Sequence, residues 1–116
     1  VAIAVTATRN TLATSYGTAL SWIGIATGDP GTSATPANEA TGGSPAYARK
    51  QTTWGTAASG AITGSSVTVD LAAGTYSFAI LASAATGNTM GDKVSITSTT
   101  LGTQGQLVVT PSYTQS

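Results

Sequence analysis

Eight ionised side chains are the whole stock of charge in this 116-residue chain: Asp29, Glu39, Asp70 and Asp92 against Arg9, Arg49, Lys50 and Lys93. There is no histidine and no cysteine. Their absence removes the commonest general base and metal ligand, and all thiolate chemistry. Carboxylate chemistry remains. A glycosidase needs two carboxyl groups roughly 5–9.5 Å apart across a cleft. A calcium site needs several oxygen ligands clustered in one loop. Asp29, Asn38 and Glu39 share a loop, but no EF-hand or glycine-aspartate repeat accompanies them. Asp29 reads as a turn residue and Asp70 as the polar face of a strand. Gly-x-Ser-x-Gly and Walker-type glycine loops are absent. The residues therefore predict a non-enzymatic chain that needs no metal or cofactor.

Such residues can still hold a shape. Four of the eight charges, Asp29, Glu39, Arg49 and Lys50, lie in one stretch rich in turn formers. Gly28-Asp29-Pro30-Gly31 is a turn with a mechanism: proline presets φ, aspartate bonds to nearby backbone, and glycine permits positive φ. A long loop is expected over residues 27–46, running through Pro36, Gly42, Gly43 and Pro45. Glu39 is expected to tie it down by pairing with Arg49, at a surface pair's worth of ~0–1 kcal/mol. Arg49 and Lys50 should point to opposite strand faces, one as loop anchor, the other toward solvent or a subunit contact. Trp22, Tyr47 and Trp54 are read as core or interface residues. Exposed together, they would instead make a sugar-stacking platform.

The elements that must position these residues follow from periodicity. Residues 1–8 are a possible arm, the alternation Val1-Ala2-Ile3-Ala4-Val5 also suiting a short strand. A helix is expected over residues 9–19, capped by Thr8 or Asn10, with Leu12, Tyr16 and Leu20 on one face. Strands are expected at residues 20–25, 47–54, 61–63, 67–71, 75–81, 93–97 and 106–110. In the 67–71 strand Val67, Val69 and Leu71 should point inward. In the 75–81 strand, read as central, Tyr76, Phe78 and Ile80 should share a face. Pro111 should end regular pairing and leave residues 111–116 a polar tail. Short strands at this spacing predict a mainly β fold: an antiparallel sandwich of about seven or eight strands, with one short N-terminal helix and a long loop, in a single domain over residues 1–116.

Composition bears on partners. Leu, Ile, Val and Phe together number 20, while Thr numbers 23 and Ser 13. That is a thin core under a hydroxyl-rich skin. Net charge is zero and only 7% of residues are charged, so little repels a neighbouring copy. A small core also gains stability by burial against a partner. Both points favour an assembly component. Four basic against four acidic residues leave no nucleic-acid footprint, and no apolar run approaches the ~20 residues that span a bilayer.

Gly28-Asp29-Pro30-Gly31, Ala37-Asn38-Glu39-Ala40, Gly42-Gly43-Ser44 and Ala46-Tyr47-Ala48-Arg49-Lys50, followed by Trp54-Gly55 and Ala84-Ala85-Thr86-Gly87, resemble a family of small structural proteins of tailed phages and prophages of actinobacteria. Its members are variously labelled tail-fibre, minor tail or capsid-associated proteins. The resemblance implies a virion component assembled in the host cytoplasm, partnered by the major capsid or tail protein and by copies of itself. The expected role is a multi-copy accessory or decoration protein that stabilises capsid or tail through subunit contacts. The competing expectation is a tail-tip or fibre domain that recognises host carbohydrate.

Overall fold

A computed structural model describes residues 2–116, and among them the chain forms one helix and eight strands, all paired antiparallel. Helix α1 spans Thr6–Ala19. Strands β1 (Trp22–Ala26), β2 (Lys50–Gln51), β5 (Gly74–Ala82) and β6 (Met90–Leu101) form one sheet in the order β2-β1-β5-β6. Two smaller ladders complete the sandwich: β3 (Ala61–Thr63) with β8 (Ser112–Thr114), and β4 (Val67–Leu71) with β7 (Gly105–Val109).

The four-stranded sheet buries both faces. Because side chains alternate along a strand, Ile23 and Ile25 of β1 face one way, with Ala79 and Leu81 opposite them on β5. They join Val67, Val69 and Leu71 of β4 in the main core. Trp22, Gly24 and Ala26 face the other way. There Ala26, Ile80 and Met90 form a second, smaller cluster flanked by Phe78. The long loop of residues 27–49 attaches on this second side. The Met90 N–H donates to the Ala34 carbonyl at 3.1 Å, and Pro30 of the loop is fully buried. With so few large apolar side chains the fold is drawn out, at 47 × 25 × 23 Å.

The 67–71 strand holds its expected inward face, since β4 has no bulge and Val67, Val69 and Leu71 are all buried. Strand β5 is interior to its sheet as expected, but its expected face is corrected. A register irregularity between Tyr76 and Phe78 resets the alternation. Tyr76 therefore sits in the main core with Ala79 and Leu81, while Phe78 and Ile80 belong to the second cluster.

Four further expectations are corrected. The helix begins at Thr6 with Val5 as its N-cap and no side-chain cap, so Thr8 and Asn10 lie inside it. Asn10 instead accepts the Gly60 N–H at 2.8 Å. Of the expected face, Tyr16 and Leu20 pack on the main core but Leu12 is 40% exposed, and the helix's fully buried residues are Ala13 and Gly17. Small residues let the helix approach closely: a Cβ on Gly17 would lie 2.8 Å from the Trp54 ring. The 47–54 strand shrinks to Lys50–Gln51, with Trp54 in an isolated bridge to Gly64. The polar tail is largely a strand, β8, whose Tyr113 stacks on Tyr16 at 3.8 Å between ring centres and 9° between planes. Pro111 is buried between β7 and β8 and accepts the Gly64 N–H at 2.8 Å. At the N-terminus, Val1 lies outside the described residues, and residues 2–5 carry no strand pairing.

Candidate functional site

The most organised polar cluster is built by the long loop on β1. Strand β2 pairs only with Trp22 and Ile23, so the far half of that β1 edge needs another partner. The loop supplies it. Glu39 bridges Ala26, the Thr27 N–H donates to the Asn38 carbonyl, and the Ala40 N–H donates to the Ile25 carbonyl, both at 2.9 Å. Asn38 makes the sharp bend this requires, at φ 59°, a left-handed conformation asparagine tolerates. Its side-chain amide donates to the Asp29 carbonyl at 3.0 Å. Asp29 in turn accepts the Gly31 N–H at 2.9 Å and forms an ion pair with Lys93 on β6. The expected turn at Asp29 is therefore present and is also tied across to β6.

This backbone path sets Glu39 beneath Arg49 and Tyr47. Arg49 Nε donates to Glu39 Oε2 at 2.8 Å and Nη2 donates to Oε1 at 3.0 Å. The same guanidinium reaches the β5–β6 turn, donating to the carbonyls of Ala84 and Gly87, each at 3.1 Å, and to the Thr89 hydroxyl at 2.9 Å. A guanidinium has five N–H donors, and here all five are used. The Tyr47 hydroxyl donates to Glu39 Oε2 at 2.7 Å and accepts the Ile25 N–H at 3.1 Å. Gly24 makes room for the cluster, since a Cβ there would lie 2.6 Å from the Tyr47 oxygen.

The electrostatics follow from this geometry. Burial pushes the Glu39 carboxyl upward, but the bonds from Arg49 and Tyr47 outweigh it and hold it below the usual carboxylate range. The bond to Glu39 raises Arg49, against the cost of burial. Burial, then the bond to Glu39, pushes the Tyr47 phenol well above its ordinary value. Arg49 is 5% exposed and Glu39 half-buried, so the expected surface pair is instead a partly buried one. Lys50 faces the other way, half-exposed, with Asp70 Oδ2 4.0 Å away. Asp29 is also held low, first by Lys93 and then by the Gly31 N–H.

The three aromatic candidates are put to different uses. Tyr47 is turned inward onto Glu39. The Trp54 indole donates to the Leu20 carbonyl at 2.9 Å and meets Tyr16 edge-on at 6.2 Å. Trp22 is half-buried on the face it shares with Gly24. Sequence reasoning missed a second polar knot, in which the Tyr16 hydroxyl donates to Asp92 Oδ2 at 2.6 Å beneath the Tyr113 ring. No local pattern links those three residues, which come from α1, β6 and β8. It also missed the carbonyls of Ala84 and Gly87, which no sequence motif marks as acceptors.

Each carboxylate thus has an internal partner. Asp70 accepts from Gln106 at 2.8 Å, and Asp92 accepts from both Tyr16 and the Lys93 N–H. Among the described residues no three acidic side chains gather as a metal site. A depression of about 260 Å³ lies beside the cluster, lined by Thr41, Ala48, Ala85 and Thr86 as well as Glu39 and Arg49. With its donors used, Arg49 has none to give an anion there. No family model, curated protein or solved structure matches the chain.

Proposed function

We propose that this chain is a non-enzymatic structural protein of a tailed-phage virion, a multi-copy decoration or accessory protein bound to the capsid or tail. One observation carries the reading: the scarce charges are spent on fixing the molecule's own surface. Arg49 uses every donor to lock the long loop to the β5–β6 turn. A loop held this way is a rigid surface that repeats identically in every copy, which suits contacts in a lattice. The sequence resemblance supplies the virion context. Its partners would be the major capsid or tail protein and further copies of itself, met during assembly in the host cytoplasm.

The test is a cryo-EM reconstruction of particles from the phage or prophage that encodes the chain. Regularly spaced density that fits the sandwich, with the long loop at a subunit contact, supports the proposal. Particles without such density contradict it.

A second reading has one observation in its favour. A groove of about 410 Å³ is lined by Thr14, Thr18, Ser21, Gln51 and Thr53 beside the half-buried Trp54. Hydroxyls, an amide and an indole face are the groups that hold a neutral sugar. Binding of a host-wall glycan that is lost on Trp54→Ala, in a variant that remains folded, would favour this reading over the first.

A further inference from the structure

Between β6 and the β7–β8 segment the layers of the sandwich part, leaving a cleft of about 340 Å³. Its floor belongs to the main core: Ile23, Ala79 and Leu81 line it and are buried. Val94, Ile96 and Val109 wall it, and Val94 is still 51% exposed at the rim. Water finds few partners on such a floor, so an apolar molecule gains by displacing it. The volume falls within the range of small-molecule pockets, roughly 300–1,000 Å³.

One end of the cleft carries a charge. Side chains alternate along β6, so Asp92 shares the cleft face with Val94. Lys93 turns to the other side of the sheet, where its ammonium pairs with Asp29 of the long loop. Glu39 pairs with Arg49, and Asp70 lies 4.0 Å from Lys50. Among the described residues, Asp92 is thus the one carboxylate side chain without a cation, and it lines the cleft. Its oxygens are only half used. A carboxylate offers about four acceptor sites. Asp92 Oδ2 takes the Tyr16 hydroxyl at 2.6 Å and Oδ1 takes the Lys93 N–H at 2.8 Å. Burial, then the bond to Asp92, holds the Tyr16 phenol well above its ordinary value, so it stays a donor.

We propose that this cleft binds a small organic cation, a primary ammonium group on a short apolar body. The body lies on Ile23 and Leu81 beneath Val94, and the ammonium donates to the free lone pairs of Asp92. Charge selects this class. An anion would meet Asp92, whose neighbouring lysine is committed to Asp29 on the other side of the sheet. A neutral hydroxyl makes a weaker bond to a carboxylate than an ammonium does. Tyr113 stacks on Tyr16 at 3.8 Å, which fixes the wall beside Asp92 and holds the acceptor in place before a ligand arrives. The inference stands on the cleft and its one unpaired charge, and holds whether or not the chain belongs to a virion.

Phenethylammonium, phenylethanol and phenylpropionate share one apolar body and differ in charge. Each should be titrated into the full chain and followed by NMR at the methyl groups of Ile23, Val94 and Ile96. Phenethylammonium should shift those methyls and bind roughly tenfold more tightly than phenylethanol, since a charge-assisted bond replaces a neutral donor's. Phenylpropionate should leave them unmoved. Asp92→Asn keeps the shape and an acceptor for Tyr16, and should lose the preference for the cation. Val94→Trp fills the mouth of the cleft and should abolish binding; it decides the matter if circular dichroism shows that Asp92→Asn does not fold. Methyls unmoved by phenethylammonium at millimolar concentration overturn the proposal. So do three probes that bind alike, or a preference that survives in Asp92→Asn. Cleft methyls that shift on dilution of the protein alone also overturn it, because a second copy would then be the occupant.

Discussion

Arg49 and Glu39 meet through two parallel hydrogen bonds, at 2.8 and 3.0 Å, in a site where the arginine side chain is 3% exposed and the glutamate 21%. Removing one partner of a buried pair strands the other, at about 3–5 kcal/mol. Arg49→Ala should therefore lower stability by about 3 kcal/mol or more, read from the urea midpoint. It should also open the loop to limited proteolysis between residues 27 and 49. Arg49→Lys should rescue little, because an ammonium cannot reproduce the planar fork. Unchanged cleavage in Arg49→Ala would show that the loop is held by its backbone bonds alone.

Gly24→Ala tests the same cluster from the opposite side. The added methyl would meet the Tyr47 oxygen at 2.6 Å and Glu39 Oε2 at 3.2 Å. Overpacking of this kind costs about 1–3 kcal/mol. Faster hydrogen exchange at the Ile25 amide, which Tyr47 accepts, should accompany the loss. A variant as stable as the parent, with that amide still protected, would mean the cluster shifts freely.

Stability should fall at both ends of the pH scale. Glu39 is held below its ordinary value in the fold. Its contribution is therefore full above the unfolded glutamate value of about 4.3 and is lost as pH falls through the lower folded value. At the alkaline end, Tyr16 and Tyr47 are both raised, burial being the largest cause for each. Above about pH 10 the unfolded chain releases those phenolic protons while the folded chain keeps them, so stability declines as pH rises further. Urea midpoints across pH give both limbs. Glu39→Gln should flatten the acid limb, and Tyr47→Phe should reduce the alkaline one. Limbs unaltered by these substitutions would place the titrating groups elsewhere.

Tyr113 supplies the stacked face over Tyr16 and lies on β8. Tyr113→Ala should cost about 3 kcal/mol or less, since the ring is only half-buried. Tyr16→Phe removes one bond to a carboxylate, worth about 1.5–3 kcal/mol. Both are measured by thermal unfolding. A chain truncated before Ser112 that melts like the parent would contradict the structural role of β8.

What could be read from the sequence depended on how local the cause was. Strand β4 was legible because its alternation runs without a bulge and both neighbours are plain turns. The Glu39–Arg49 pair was legible because a chain with eight charges offers few alternatives. Its burial was not, since the acceptors at Ala84, Gly87 and Thr89 are brought in by the β5–β6 pairing. Strand β5 was misassigned at Tyr76 because one register irregularity moves every later side chain to the other face. Strand β8 was read as tail because its residues are polar and follow Pro111; its partner, β3, lies about fifty residues earlier in the chain. The helix face was legible at Tyr16 and Leu20, which pack on the main core, but not at Leu12, because the close contact is made by the small residues Ala13 and Gly17.

The central claim is that the chain is a repeated part of a virion, and copy number in purified particles tests it most directly. Quantitative mass spectrometry against the major capsid protein should find it in many copies per particle, in a fixed ratio that survives gradient purification. Its absence from clean particles, with the chain present only in the infected-cell lysate, would contradict the claim.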